Sequence, residues 1–360
     1  MKRKIVLCAL ALVTGLRLIA CTKPDYGNPF RTLMASLDWG KDTCYVYGHK
    51  TPDADAACSS LGYAQLMRSL GYNCVAKVSS PTNNETRYVS GVFGFEMPEL
   101  KSYVAPGTRI IVTDHEEYSQ SVDGARDARL LQIVDHHQAG DMAKDEVPFI
   151  RREVIGATCS MVWKLFQEAG VPLDDNTARI LLSGILSDTD NLAKANTTHE
   201  DSLAWQALTS QLKLSADSVA RIRAGMIEAL TDYSAMNDYE IFVSDYKDYD
   251  MTGNAVGIGC VEWIDYASMD GFLKRMRKVM PEVMGRKGRT MVFLMATNYA
   301  PGPAGKPVED GMYILYGGAG SREVAEKAFG PSVREGMCFV GRRLGRKTDV
   351  VPVFTEILAH

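Results

Sequence analysis

The sequence lacks the features that mark most specialised classes of protein. Its 360 residues contain no tandem repeat, no low-complexity tract and no CxxC pair among eight cysteines, which argues against repeat proteins and thiolate metal cages. The chain has no large excess of charge of either sign, because 44 acidic residues nearly balance 40 basic ones. A nucleic acid is therefore not expected as a partner. The hydrophobic content of 46% is that of a globular protein, and the length predicts two domains.

The N-terminus also lacks an apolar run long enough to span a bilayer, for which about 20 residues are needed. It has a basic start, an apolar stretch from Ile5 to Ala20 interrupted by Arg17, and then Cys21. This pattern is similar to a bacterial lipoprotein signal, with residues 18–21 as the lipobox. We therefore expect residues 1–21 to be a signal, Cys21 to be lipidated, and the protein to be anchored at the cell envelope. An uncleaved anchor is the alternative, and without a signal the location would be cytoplasmic.

Apart from Cys8 and Cys21, six cysteines remain, and several of them lie in apolar runs. We therefore expect these cysteines to be small buried hydrophobic side chains and not metal ligands or a disulfide framework. An exported location would still permit a bridge. The residues concerned are Cys44, Cys58, Cys74, Cys159, Cys260 and Cys338.

From residue 43 the sequence alternates short β-prone runs with helix-like spacing, which predicts an α/β domain with a doubly wound parallel sheet and helices on both faces. Predicted strands are residues 43–47, 73–78, 108–113 and 129–134. After a candidate linker in the middle of the chain, residues 254–263, 289–297 and 311–318 predict strands of a smaller α/β domain, with a basic helix at 272–279. The expected organisation is a tether at 22–42, domains at 43–211 and 233–360, and a linker at 212–232, with the active site in the cleft between the domains.

Histidines and aspartates gather where the predicted parallel strands end. The first strand runs into His49, Asp53 and Asp55, the third ends at Asp114-His115, and the fourth ends at Asp135-His136-His137. A further acid, Asp188, ends a helical run. Carboxyl ends of parallel strands form the edge at which open α/β sheets build their sites. Helix caps and turn acids would explain any one cluster but not all four.

Carboxylate and imidazole ligands without thiolates suit manganese, magnesium or cobalt. Several aspartates could hold two cations about 3.5 to 4 Å apart, with one carboxylate bridging them and a shared water made acidic enough to attack phosphorus. The pattern therefore predicts a dinuclear metal site for phosphoryl chemistry.

Four motifs follow one another along the chain, namely GHKTPDAD, Thr113-Asp114-His115-Glu116-Glu117, Val134-Asp135-His136-His137 and Leu186-Ser187-Asp188-Thr189, and Gly345-Arg346-Lys347 stands ahead of Val350-Val351-Pro352 near the C-terminus. In this order they resemble the motifs of the DHH phosphoesterase superfamily, and most of all its manganese-dependent (family II) inorganic pyrophosphatases. The similarity runs from about Tyr45 to Leu358.

The resemblance implies two Mn²⁺ ions per chain, with Co²⁺ or Mg²⁺ as possible substitutes, and a role for each matching residue. Its implied metal ligands are His49, Asp53 and Asp114 for one ion and Asp55, His136 and Asp188 for the other, with Asp114 shared. His137 would donate a hydrogen bond or proton to the bridging oxygen of the substrate, and Asp135 would orient a histidine.

Arg346 and Lys347 would bind phosphate from the second domain, although a similar basic triplet at 285–287 shows that such loops occur without this role. His115 and Glu117 remain open between supporting the site and merely ending a strand. Relatives carry a further phosphate-binding lysine shortly after an Ala-Gly pair, whereas no Lys or Arg follows Ala224-Gly225 before Lys247. We expect that lysine to be missing or replaced, with Arg221 and Arg223 as candidates.

Three functions follow as hypotheses. The first is hydrolysis of pyrophosphate to two phosphates by a hydroxide bridging two metals. The second keeps the metals but changes the substrate to a short polyphosphate, a nucleotide or another phosphate ester, as an envelope location would suggest. The third is a lipoprotein that only binds metal or phosphate. A homodimer is possible, and the expected partner is a small phosphate compound.

Overall fold

The computed structural model describes residues 27–264, 268–299 and 311–360. The predicted signal and Cys21 lie outside these residues, as does the start of the predicted tether. None of the helices within the described ranges is both long and apolar enough to cross a membrane.

The first domain is built on a sheet of six parallel strands in the order β3-β2-β1-β4-β5-β6. This order places β1 at the centre and confirms the predicted parallel sheet. The strands are β1 Cys44–Tyr47, β2 Cys74–Val78, β3 Glu99–Leu100, β4 Arg109–Thr113, β5 Arg129–Asp135 and β6 Phe149–Arg152. The helices are α1 Pro29–Ser36, α2 Ala54–Ser69, α3 Asn84–Phe93, α4 Thr158–Glu168, α5 Asp175–Asp188, α6 His199–Gln211 and α7 Ala216–Leu230.

Side chains of the central strands alternate between two apolar clusters, as the period of a strand requires. Val46 and Ile111 lie in a large core with the α-helices, whereas Tyr47, Ile110 and Val112 pack on the other face with a smaller cluster. The second face is covered by 3₁₀ segments, including 125–127 and 141–144. Helical segments thus lie on both faces, but only one face carries the α-helices of the core.

The predicted tether needs correction over its second half. Residues Pro29–Ser36 form helix α1, which begins with the Asn28 side chain accepting a hydrogen bond from the backbone N–H of Arg31 at 3.1 Å. Phe30 and Met34 are buried in the large core. Because burying two such side chains stabilises the fold by roughly 3 to 6 kcal/mol, this segment is part of the first domain.

The predicted linker is also mostly helical. Helix α7 buries Val219 and Met226 in the core of the first domain, so its apolar face belongs to that domain. The connection to the second domain follows this helix.

The second domain has a five-stranded mixed sheet in the order β11-β10-β9-β8-β7, in which only β8 and β9 are parallel. The strands are β7 Asp245–Met251, β8 Asn254–Trp263, β9 Met291–Asn298, β10 Met312–Gly318 and β11 Met337–Val340, and the helices are α8 Asp238–Phe242, α9 Met269–Lys287, α10 Ser321–Phe329 and α11 Val351–Leu358. A π-helical turn, Arg346–Val350, precedes α11. The predicted smaller α/β domain is confirmed.

The sequence does not predict strand β7, because four of its seven residues are charged and it has no apolar alternation. It is joined to β8 by a two-residue turn, Thr252-Gly253, in which both residues have positive φ, 51° and 84°. That backbone matches the twist of a hairpin. The turn therefore specifies the pairing that brings β7 to the edge of the sheet.

A cleft of about 700 Å³ lies between the two domains. On the second domain, strand pairing sets three of its lining residues side by side. Asp245 pairs with Cys260 and Cys260 pairs with Met295, and all three line the cleft. The six cysteines within the described ranges are free thiols, five of them buried and Cys260 partly so. Their predicted role as small apolar side chains is confirmed.

Candidate metal centre and interdomain cleft

The loop between β1 and α2 presents the first two predicted ligands. Asp53 caps α2, since its Oδ1 accepts a hydrogen bond from the backbone N–H of Ala56 at 2.9 Å. Its other oxygen, Oδ2, lies 3.2 Å from Nε2 of His49. The cap thus holds one carboxylate oxygen of Asp53 while the second faces the cluster.

Asp114 stands between two histidines at the end of β4. Its Oδ2 lies 3.5 Å from Nε2 of His49, and its Oδ1 lies 3.2 Å from Nε2 of His136. The backbone of Asp114 has a φ of 62°, which is uncommon for a residue with a side chain and indicates a conformation held by its surroundings. The hydroxyl of Thr158 donates to Oδ1 at 3.0 Å. A carboxylate with one oxygen toward each histidine has the geometry of a bridging ligand.

Asp55 is fully buried in the first turn of α2. Its two oxygens accept hydrogen bonds from the backbone N–H groups of Thr158 at 2.6 Å and Cys159 at 2.9 Å. These N–H groups stand at the N-terminus of α4, where the helix itself offers them no acceptor. Gly184 leaves room for this contact, because a Cβ there would lie 2.6 Å from Oδ1. Burial and the neighbouring Asp114 raise the pKa of Asp55 to about 7.

His136 directs one ring nitrogen into the cluster. Its Nδ1–H donates to the carbonyl oxygen of Ile155 at 2.9 Å, which leaves Nε2 facing the acids, 3.6 Å from Oδ2 of Asp188. Within the described part of the chain this buried Nε2 has no hydrogen-bond partner. A backbone carbonyl at the far nitrogen is a common way to orient a metal-ligating histidine.

All six predicted ligands therefore meet at one place, in two overlapping groups, and within each group the candidate ligand atoms lie within 4.8 Å of one another. Asp114 belongs to both groups, as the sequence predicts for a shared ligand. The buried carboxylates repel one another, and His136 offers a buried nitrogen without a hydrogen bond, so divalent cations suit the site. The groups are His49, Asp53 and Asp114, and Asp55, Asp114, His136 and Asp188. A third such group joins Asp114 and His136 to His137.

His137 lies beside the cluster and is oriented by Asp135. Its Nδ1–H donates to Oδ1 of Asp135 at 2.7 Å, and Nδ1 lies 3.7 Å from Asp114. Asp135 is fully buried. The histidine that Asp135 orients is thus His137, and Nε2 is the ring atom left to meet a ligand in the cleft.

Four cationic side chains of the described second domain line the cleft, namely Lys247, Arg343, Arg346 and Lys347. Arg346 is held by Asp245, with Nη2 2.6 Å from Oδ1 and Nη1 2.8 Å from the carbonyl oxygen. Nζ of Lys347 lies 3.6 Å from Glu117 but is buried without a hydrogen bond to any residue of the described ranges. Burial and the two neighbouring cations lower the pKa of Lys247 to about 8. Such a concentration of positive charge favours a polyanion.

The expected replacement of the missing lysine has a candidate in the cleft that the sequence did not single out. Lys247, on β7, stands with the two predicted cations, and is 9% exposed. Of the two suggested replacements, Arg221 contacts Ser218 on its own helix. Arg223 does line the cleft, but it is held by Glu85 and Asp190. The Thr252-Gly253 turn was the available signal, because it implies a strand on each side.

The structure also shows where His115 and Glu117 lie, the two residues whose roles the sequence leaves open. His115 turns away from the acids and donates its Nδ1–H to the carbonyl oxygen of Thr113 at 2.9 Å. Burial lowers its pKa to about 3, so the ring is neutral. Glu117 instead faces Lys347 across the cleft. Fold and site together define a two-domain protein whose cleft sets a cluster of oxygen and nitrogen metal ligands against a wall of cations.

Comparison with known proteins agrees with that class. The model of the DHH family, N-terminal domain, matches residues 43–185, and the model of the DHHA2 domain matches residues 224–357. A probable manganese-dependent inorganic pyrophosphatase from Archaeoglobus fulgidus is 30% identical over 328 residues, covering 88% of this chain and 98% of the relative. The manganese-dependent inorganic pyrophosphatase of Methanothrix thermoacetophila is 29% identical over 312 residues, covering 86% and 97%.

A solved structure shares the fold as well. The crystal structure of a candidate family II inorganic pyrophosphatase from Methanococcus jannaschii has a TM-score of 0.76 and 27% identity, covering 88% of this chain and 100% of that one. The chain therefore belongs to the DHH phosphoesterase superfamily, in the group of manganese-dependent (family II) inorganic pyrophosphatases.

Proposed function

We propose that the protein is a manganese-dependent phosphohydrolase that cleaves pyrophosphate to two phosphates. The observation that carries this proposal is the position of Asp114 between His49 and His136, which gives two overlapping ligand groups on one carboxylate. Two such groups suit a pair of ions, and oxygen with imidazole ligands suits manganese, with cobalt or magnesium as substitutes. Relatives named as manganese-dependent inorganic pyrophosphatases support the same conclusion.

When bound, the ions supply Lewis-acid activation of a water molecule and neutralise phosphate charge. The six ligands fix their position, and the hydrogen bonds from Thr158 and Cys159 to Asp55 keep that carboxylate from turning away. Pre-set ligands of this kind do not have to reorganise during the reaction.

The second domain binds the substrate. Lys247, Arg346 and Lys347 face the metal ligands across the cleft, and each offers N–H donors to phosphoryl oxygens. The ion pair with Asp245 sets the direction of the Arg346 guanidinium. Cations on one wall and metal ligands on the other would hold a small polyanion between them.

His137 is the group that we assign to the oxygen between the two phosphorus atoms. Its Nδ1 is held by Asp135, so only Nε2 can hydrogen-bond to the substrate or pass a proton to the oxygen that leaves. Donation from Nε2 requires a ring that is protonated at both nitrogens. Burial and the nearby Lys347 lower the pKa of His137, and the negative charge of a bound phosphate compound would raise that pKa again.

The size of the cleft favours a second candidate, in which a larger phosphate compound is the substrate. About 700 Å³ lies within the range of pockets that hold organic ligands, roughly 300 to 1,000 Å³. A short polyphosphate or a nucleotide is therefore an alternative to pyrophosphate. A protein that only binds metal or phosphate is the last alternative, although every ligand position holds a competent residue.

Phosphate release tests these proposals. Protein from residue 22 onward is assayed with manganese, magnesium or cobalt against pyrophosphate, tripolyphosphate and nucleotides. We expect the highest kcat/KM for pyrophosphate with manganese. Preference for tripolyphosphate or a nucleotide would support the second candidate, and no turnover of any compound would leave only the binding protein.

A further inference from the structure

A buried ion-pair network lies next to the metal centre, within the first domain. Arg223 on α7 places Nε 2.9 Å from Oδ1 of Asp190, and its Nη1 pairs with Glu85. Glu85 also accepts a hydrogen bond from the hydroxyl of Ser187 at 2.9 Å. Arg223, Asp190 and Glu85 are each 5% exposed or less. One arginine thus serves two buried acids, which leaves a negative charge to be balanced by another cation.

The second domain supplies that cation. Arg343 pairs with Oδ2 of Asp190, and its guanidinium stacks 4.2 Å from the ring centroid of Tyr299. The hydroxyl of Tyr299 lies 3.4 Å from Nη2 of Arg223. Asp190 is therefore bound by one arginine from each domain, and Tyr299 contacts both arginines.

The turn that carries Asp190 has an unusual backbone. Asp190, Asn191 and Leu192 all have positive φ, 49°, 52° and 70°, a conformation that costs of order 1 to 3 kcal/mol per residue without glycine. The indole N–H of Trp205 donates to Asn191 at 3.0 Å, and the hydroxyl of Thr189 accepts from the N–H of Leu192 at 3.0 Å. Strain held by surrounding contacts indicates that the direction of this turn matters to the protein.

The position of this contact in the chain suggests what it does. Asp190 follows the metal ligand Asp188 by two residues, and Arg343 precedes Arg346 by three. We propose that Arg343 is a positioning residue, whose ion pair with Asp190 holds the Arg346–Lys347 turn over the metal cluster before substrate binds. This inference rests on the proposed function, since it assigns a task to the phosphate-binding turn.

The consequence is a cleft that is organised in advance. A protein whose binding-competent form is only partly populated shows a weaker apparent affinity in proportion to that population. Without the pair between Asp190 and Arg343, the substrate itself would have to bring the turn into place. KM should then rise about 5- to 50-fold, whereas kcat should change less than about twofold, because the bound complex reaches the same arrangement.

The test compares Arg343→Gln with Arg342→Gln in the full-length chain. Arg342 is a matched control, since it is the adjacent arginine and pairs with Asp349 inside its own domain at 3.2 Å. We expect Arg343→Gln to raise KM for pyrophosphate while kcat is kept, Arg343→Lys to recover most of the affinity, and Arg342→Gln to match the unmodified protein. An unchanged KM in Arg343→Gln, or an equal rise in both glutamine variants, would overturn the proposal.

A second readout does not need turnover. Hydrogen–deuterium exchange of amides in residues 341–350 should be faster in Arg343→Gln without ligand, and should return to the level of the unmodified protein with manganese and imidodiphosphate. Unchanged exchange would contradict the positioning role even if thermal stability fell. If the unmodified protein released no phosphate, the proposed function would fail by itself, and the exchange experiment would still decide whether Arg343 holds the turn.

Discussion

His137 donates its Nδ1–H to Oδ1 of Asp135 across 2.7 Å, and its backbone N–H points to the same oxygen at 3.2 Å. A single buried carboxylate oxygen therefore fixes both the ring and the main chain of this histidine. The arrangement leaves Nε2 toward the cleft, and it is set by a residue, Asp135, that belongs to none of the candidate metal-ligand groups of the described residues.

Replacing Asp135 by Asn should reduce kcat by about 10- to 100-fold, the usual loss when the partner that orients a functional histidine is removed. The amide keeps the shape of the side chain, but its neutral oxygen accepts the hydrogen bond from Nδ1–H less strongly than a carboxylate does, so the ring is held less firmly. Because Asp135 is outside both ligand groups, the metal content measured by mass spectrometry should stay as in the unmodified protein. Loss of metal together with kcat would instead make Asp135 part of the metal site.

Replacing Asp114 by Ala should remove one oxygen ligand from each ligand group. We expect at least about a 100-fold fall in kcat/KM and loss of bound manganese after dialysis. Asp42→Ala is the control, because that carboxylate is 92% exposed and pairs with Arg109, and neither residue lines the cleft. Normal metal content in Asp114→Ala would show that the bridging assignment is wrong.

Lys247 should give substrate affinity a dependence on pH. Burial, Lys347 and Arg346 lower the pKa of Lys247 to about 8, and only the protonated ammonium attracts phosphate. Its charge is present below that pKa and is lost above it, so KM should rise about tenfold between pH 7 and pH 9. In Lys247→Arg the charge persists, and this rise should disappear. The same pH dependence in both proteins would rule Lys247 out as its source.

Membrane attachment is proposed from the sequence around Cys21, and cell fractionation tests it. In cells producing the full chain, Cys21→Ser should leave the membrane fraction, because the thiol that would carry the lipid is gone. Cys8→Ser alters a cysteine within the apolar part of the proposed signal and should stay with the membrane. Retention of Cys21→Ser in the membrane fraction would favour an uncleaved anchor.

Polar residues at strand ends are the part of the site that local sequence predicts well. His49 and Asp114 lie within two residues of the end of a β-prone run, Asp53 lies in the loop after the first run, and parallel strands bring their carboxyl ends to one edge. The predicted strands therefore place these residues on the same side of the sheet. Helix α1 could have been found in the same way, since Asn28 is a capping residue and Pro29 suits the first helical position.

Contacts made by tertiary packing could not be predicted in this way. Strand β7 carries too many charges for an apolar alternation, so the sequence predicts neither this strand nor the place of Lys247 in the cleft. The pairing of Asp190 with Arg343 joins loops of two domains, and no periodicity in either segment records it. Such contacts depend on how the domains are placed, which nearby residues do not encode.

The central claim is that six side chains hold two cations on a shared Asp114. The most direct test is a crystal structure of the protein grown with manganese, with anomalous diffraction measured at the manganese absorption edge. The account predicts two anomalous peaks about 3.5 to 4 Å apart, one near His49 and Asp53 and the other near His136 and Asp188. A single peak, or two peaks that do not share Asp114, would contradict it.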